Sequence, residues 1–509
     1  MARMASVDVG SGASQGRMAT GSLGSFHMLL ILLAGFLVTA VAQAWVSPTA
    51  ELDQAEQLIL AQQLHWGYGN QPPLYSWLVY LVQRLAGGPS LAVLFGLKLG
   101  LLALLLLAVR GTCSELQLGE RRTTLALAGY AWLPAFVWEA QRDLTHSLLA
   151  ATMAALLLWT GLRAVRRGRW GDHVAVGLAA AAALLSKHNA LVFVVALLVT
   201  VLSVPCSRAR LRPAGLALSI VLALAVLSPY LVWLLGHAAV LQGTWHKLDQ
   251  GGEGGRLAGF AHLGWALVKG WLGFLLPWLL PALMLLRRQA QPSEAGRFMS
   301  RLLAWVAVLV LAPVLMLEAD SFKARWLTPL LFAAPIWLAT NVSDRNGLWS
   351  KVMVQGGLAW LVLVAVVMPA RIVWPQLGEP QTRQNVAFTP MARELAGQWG
   401  QVPPVVLVSQ HFAGGNLLLH WPATTRVWTP IVHAPAALPD RLTVVYTEQD
   451  RRDAVFDRWL WQHTGWHAQA LPVMGVVQAP VAYRPEAPAQ RWYWAQVPLR
   501  HKVEAARAH

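Results

Sequence analysis

The chain has 509 residues, of which 56% are hydrophobic and only 13% charged, against about 25% charged in ordinary soluble domains. That balance excludes a water-soluble fold, which could not bury so much apolar surface. The formal net charge of +16 does not mark nucleic-acid binding, because the basic residues sit in short loops between apolar runs and form no long tract interleaved with aromatics.

In chain order, residues 1–25 form an N-terminal tail, and the apolar run that follows is too long for a signal-peptide core, so it reads as an uncleaved first span. Spans are predicted at 26–47, 89–109, 123–139, 145–162, 173–187, 190–204, 214–236, 261–286, 302–319, 325–341 and 352–370, about eleven in all at the length a bilayer core requires. Alternate loops carry the cations: Arg110, Arg121 and Arg122; Arg163, Arg166, Arg167 and Arg169; Arg208, Arg210 and Arg212; Arg287, Arg288, Arg297 and Arg301; Arg345 and Lys351. Cations mark cytoplasmic loops, which places the N-terminus inside and the first loop, 48–88, outside. Cys113 and Cys206 have no partner at metal-site or redox spacing and read as free thiols in cytoplasmic loops. Lys98 and Lys269 fall within apolar runs, and each would reach an interface if the span ends shift slightly.

The outer face collects Glu51, Asp53, Glu56, Glu139, Asp143, Asp249, Glu253, Glu318 and Asp320. Acidic residues have little influence on orientation, so this gathering hints at a site, although Glu51, Asp249 and Glu253 read as ordinary solvated carboxylates. Within the first loop, two amphipathic helical stretches, about 53–64 and 74–86, flank the turn "GYGNQPP". Asp53 stands at the start of the first and Glu56 three residues later, a spacing that also suits a cap with an acidic first turn. Asp143 and His146 in "QRDLTHS" share a face at the outer start of a helix, where Asp143 could also be a cap. Lys187 and His188 in "SKHN", with Lys323 and Arg325 in "FKARWLTP", are cations at the outer membrane boundary, costly there unless paired, facing a polar cavity or snorkelling to headgroups.

After Met368 the composition turns to Pro, Gln, Trp and charged residues, so the transmembrane unit is 26–370 and residues 371–509 form an outer domain. "PVVLVS" and "RLTVVY" read as strands of an α/β module. Its many Trp and Tyr suit a membrane interface, a glycan or a core.

The segment "LDQAEQLILAQQLHWGYGNQPPLYSWL", followed by "QRDLTHSLLAATMAALLLW", "LLSKHNALV" and "FKARWLTPLLFAAP", resembles the polyprenol-phosphate-sugar-dependent membrane glycosyltransferases. These include protein mannosyltransferases, aminoarabinose transferases of lipid A and rhizobial lipopolysaccharide galacturonosyltransferases. The resemblance implies a polytopic α-helical GT-C fold with a periplasmic C-terminal α/β domain in a bacterial inner membrane. It also implies Asp53 as the catalytic base. Family members usually follow that residue with Glu, where this chain has Gln54; aminoarabinose transferases carry Glu-Lys where it has Asn70-Gln71. "GYGNQPPLYSWL" is closer to the galacturonosyltransferase branch.

Transfer from a polyprenyl phosphate needs a carboxylate near the acceptor hydroxyl and cations near the leaving phosphate. Glu56, Tyr68, Asn70, Gln71, Asp143 and His146 are the substrate-binding candidates, and Lys187, His188, Lys323 and Arg325 the phosphate-binding ones. The expected partners are a polyprenyl-phosphate-linked sugar, the bilayer, and a glycolipid, glycan or protein acceptor such as lipid A or lipopolysaccharide core. No cofactor is expected, and a divalent ion would require the fold to bring Asp53 and Asp143 together. A transporter or lipid flippase would place charge at midplane and show internal repeats, neither of which is evident. A non-catalytic envelope assembly protein is the other alternative, kept open by Gln54.

Overall fold

A computed structural model describes residues 24–237, 256–287, 293–316, 324–342, 347–375, 382–435 and 437–499. The first five helices are α1 (Ser25–Val46), α2 (Leu52–Leu60), α3 (Leu74–Ala86), α4 (Leu91–Glu115) and α5 (Glu120–Trp132). Among the described residues seven helical stretches are long and apolar enough to cross a bilayer: α1, α4, His146–Arg167, Pro213–Gly236, Leu267–Leu286, Glu294–Ala312 and Leu348–Val373.

The remaining expected spans are shorter or broken. Trp170–Ser186 and Ala190–Ser203 are apolar but below that length. The run expected at 123–139 is α5 followed, past Pro134, by a π-helical stretch Ala135–Glu139. The one expected at 325–341 splits into Ala324–Trp326, Thr328–Leu331 and Ala334–Asn341. Pro329 and Pro335 fall where the chain restarts, as a residue without an amide donor favours.

The helix His146–Arg167 is central, with 67% of its apolar window buried against 22% for Pro213–Gly236 at the periphery. Ala150, Ala151, Ala154 and Ala155 are buried along it, and such small side chains let apolar helices approach closely. At its C-terminal end Arg167 pairs with buried Glu115 at 2.7 Å, joined by Arg166, and Arg163 pairs with Asp172 at 2.9 Å. Cys113 is buried in the last turns of α4 and does not lie in a loop as expected, whereas Cys206 is exposed.

The C-terminal portion carries β1 (Val405–Val408), β2 (Arg426–Trp428), β3 (Arg441–Tyr446), β4 (Gly475–Ala479) and β5 (Gln490–Pro498). They form one mixed sheet in the order β2-β1-β3-β5-β4, with β1 parallel to β2 and β3, and β5 antiparallel to β3 and β4. Trp428 and Trp492 are fully buried, so these two indoles serve the core. Ile59 of α2 packs into the hydrophobic cluster of Phe388, Val406, Leu417 and Trp492, so the first loop is built into this domain's core.

Candidate active site

The start of α2 sets the geometry. Glu51 is extended, and its N–H donates to Gln54 Oε1 at 3.2 Å, so the cap is Glu51 with Gln54 and not Asp53 with Glu56. Gln54 Nε2 donates to the Arg142 carbonyl at 3.2 Å, drawing in the 140–144 turn. The Asp53 N–H, a first-turn donor with no partner inside the helix, donates to Asp143 Oδ1 at 3.0 Å. Asp53 Oδ2 lies 3.8 Å from Arg325 Nη1. Three segments distant in sequence thereby meet at Asp53.

Behind this front lies a buried charge layer. Glu51 is buried and paired with Arg371 Nη2 at 3.3 Å, contrary to the solvated role expected for it. Arg371 also donates to Gln384 Oε1 at 3.1 Å and covers the Trp138 ring. Burial raises the Glu51 carboxyl above its ordinary pKa, with Arg371 pulling it back. Burial first, then the charges of Asp53 and Glu51, push the Asp143 carboxyl well above the usual carboxylate range. Lys98 of α4 is only 3% exposed. It does not reach an interface as expected, and its countercharges are Asp143, Glu51 and Asp53.

The other predicted residues are held by contacts of their own. His146 is buried, within hydrogen-bond distance of Gln57 at 3.1 Å and the Ser186 carbonyl at 3.3 Å, and against the Tyr75 ring. Ser76 donates to Gln57 Oε1 at 2.7 Å, which orients the amide that meets His146. Lys187 Nζ donates to Ser147 Oγ at 2.6 Å, His188 Nε2 lies 2.8 Å from the Tyr230 hydroxyl, and Asn189 donates to the Trp326 carbonyl at 2.7 Å beside Arg325. Tyr68 donates to the Gln63 carbonyl at 2.6 Å and accepts from the His65 N–H at 3.0 Å, closing the first loop on itself. Burial lifts its phenol to about 12. Gln71 bridges to Tyr68, Asn70 is exposed, and Glu56 is half-buried on α2. Lys323, Asp249, Glu253, Glu318 and Asp320 lie outside the described residues.

The C-terminal domain completes one wall. Asn416 in the helix His411–Leu418 accepts from the Ala50 N–H at 2.7 Å and donates to the Ala50 carbonyl at 3.2 Å. A Cβ at Gly415 would stand 2.2 Å from the Ala55 carbonyl oxygen, so only glycine allows this helix to lie on α2. Gln62 pairs with Val427 through both amide atoms, at 2.8 and 2.9 Å. His411, at the start of the same helix, feels the charge of Asp53, while burial lowers its pKa. Sequence reading missed Glu51, Arg371, Gln57, His411, Gly415 and Asn416; "GGN" at 414–416 was the available signal for a close helix contact. Among the described residues no group of three or more His, Cys, Asp or Glu converges as a metal site would, and Asp53 and Asp143 are neighbours as a pair.

Residues 70–233 match the family described as dolichyl-phosphate-mannose-protein mannosyltransferase. The chain is 29% identical over 413 residues to the lipopolysaccharide core galacturonosyltransferase RgtA of Rhizobium johnstonii, covering 77% of this chain and 80% of that one. It is 23% identical to the lipid A galacturonosyltransferase RgtD of the same organism, over 83% of this chain and 87% of the relative. Among solved structures, apo ArnT from Cupriavidus metallidurans superimposes with a TM-score of 0.53 at 14% identity, covering 92% of this chain and 97% of that one. The fold is that of the GT-C membrane proteins. The chain is a multi-pass membrane glycosyltransferase.

Proposed function

We propose that this protein is an inverting glycosyltransferase that moves one sugar from a polyprenyl-phosphate carrier to an acceptor on the outer face of a bacterial inner membrane, with the C-terminal domain on that same side. The acceptor is a glycolipid such as lipid A or lipopolysaccharide core. The observation that carries this reading is the partly open Asp53 carboxylate, positioned from its own backbone by Asp143 and faced by Arg325. In the proposed step the acceptor hydroxyl oxygen attacks the anomeric carbon as Asp53 takes its proton. The bond from that carbon to the phosphate oxygen breaks, and the polyprenyl phosphate leaves with the electron pair. A single in-line displacement inverts the anomeric configuration. Arg325, with its fork of donors beside the base, is the group we assign to the departing phosphate, and Lys187 stands on the adjacent segment. A lipid-phosphate donor is supported by the name of the matched family, and a galacturonosyl unit by the names of the curated relatives.

The test is envelope glycan analysis by mass spectrometry in a strain lacking the gene, complemented with wild type or with Asp53→Asn. Loss of one sugar unit that only wild type restores is the expected result. Restoration by Asp53→Asn would remove Asp53 from its role.

A further inference from the structure

A cavity of about 220 Å³ opens where the far end of α2, the last turn of α3 and strand β2 meet. Arg84 of α3 and Arg426 of β2 contribute two guanidinium groups to its walls, and no carboxylate lines it. Among the described residues neither arginine is ion-paired. Arg84 lies over the Tyr80 ring at 5.2 Å, and Arg426 donates to the Gln62 carbonyl at 2.9 Å, which leaves most of both forks uncommitted. Gln83 also lines the cavity and is only 8% exposed, yet its Nε2 has no hydrogen-bond partner among the described residues. A buried donor left in that state carries a desolvation penalty that a bound acceptor atom would relieve. Thr425 adds a buried hydroxyl to the same lining.

Two uncompensated cations and an unsatisfied amide donor define a site for an oxyanion. Its setting identifies the molecule that carries the anion. On α3, Leu81 and Leu85 are exposed one turn apart beside Tyr80 and Arg84, the pattern of a helix lying at a membrane surface. Leu58 and Ala61 place the cavity roughly 8–12 Å along the α2 axis from Asp53. We propose that this cavity holds a phosphate of the membrane-anchored acceptor, so that a hydroxyl further along the same glycan reaches Asp53. The inference rests on the reading of Asp53 as the base that serves that acceptor.

The test is a binding titration of the full-length protein in uncharged detergent micelles with lipid A bisphosphate, chemically dephosphorylated lipid A, and phosphatidylglycerol. The bisphosphate should bind at least about tenfold more tightly than the other two, and Arg84→Gln should remove about tenfold of that affinity, the scale of a charge-assisted hydrogen bond. Arg426→Gln should weaken it as well. Because Arg84 makes no described hydrogen bond that holds the fold, its variant reads the ligand contact directly. Unchanged binding in Arg84→Gln would overturn the proposal. Equal binding of phosphatidylglycerol would also overturn it, by making this a general headgroup site. The titration needs no turnover, so its failure and the failure of Asp53 as base are separate results.

Discussion

Arg325 Nη1 and Asp53 Oδ2 face each other across 3.8 Å, with side chains 46% and 31% exposed. A pair this open contributes about 0–1 kcal/mol to stability, so its place at the mouth of the site points to chemistry. Arg325→Ala should lower kcat by about 10², the scale of losing one donor to a developing anion, and leave Tm nearly unchanged. Arg325→Lys should recover only part, since an ammonium lacks the planar fork. Steady-state transfer kinetics with a melting curve check both; a large fall in Tm at constant kcat would assign Arg325 to structure instead.

The Glu51–Arg371 pair should behave in the opposite way. Both side chains are largely buried, so Arg371→Met leaves a carboxylate without its partner and should cost about 3 kcal/mol. Adding Glu51→Gln should return much of that loss, giving a coupling that a double-mutant cycle in thermal or chemical unfolding would measure. Additive losses would mean that the two groups act separately.

Asp143 supplies the pH dependence. Its carboxyl is raised in the fold, by burial and then by Asp53 and Glu51, so the folded state binds the proton more tightly than the unfolded state does. That stabilisation is complete below the ordinary carboxylate value near pH 4 and is lost as pH rises through the raised value. Wild type should therefore lose stability progressively with pH over this window. Asp143→Asn keeps an oxygen able to accept from the Asp53 N–H and should flatten the profile, as Tm measured across pH would reveal. An identical slope in the variant would place the titration elsewhere.

Gly415→Ala should separate helix His411–Leu418 from α2, because the new methyl would meet backbone atoms of Ala55 that cannot move aside. Overpacking of this kind costs about 1–3 kcal/mol. Limited proteolysis should find the first loop more accessible, with transfer reduced alongside. Undiminished protection would show that the two helices can part without consequence.

Several features were legible in sequence for definite physical reasons. Hydrophobic run length exposed the membrane bundle, the β-branched runs around Val405–Val408 and Arg441–Tyr446 exposed two strands, and the turn before Pro72-Pro73 bounded α3. Asp143 and Arg325 could be singled out because charge is rare near apolar runs, and Asp53 because the first loop resembles that of a glycosyltransferase family; the fold brings the three together. Glu51 and Arg371 could not be paired in advance, since residues that neutralise each other from positions far apart in the sequence leave no local pattern. Lys98 illustrates the same limit, as a buried lysine and a snorkelling one have the same spelling. The Asn416–Ala50 contact lay deeper still, depending on a glycine whose importance appears only once a second helix is laid across it.

That last contact has a consequence for how the molecule is made. Ala50 leaves the ribosome early and Asn416 follows 366 residues later, so the surface carrying Asp53 waits, unsupported, through the insertion of nearly every helix. A chain interrupted anywhere before β2 could thread its helices into the bilayer and still lack the wall that holds α2. Biosynthesis thus makes the first loop the earliest part of the site to appear and the last to acquire its working shape.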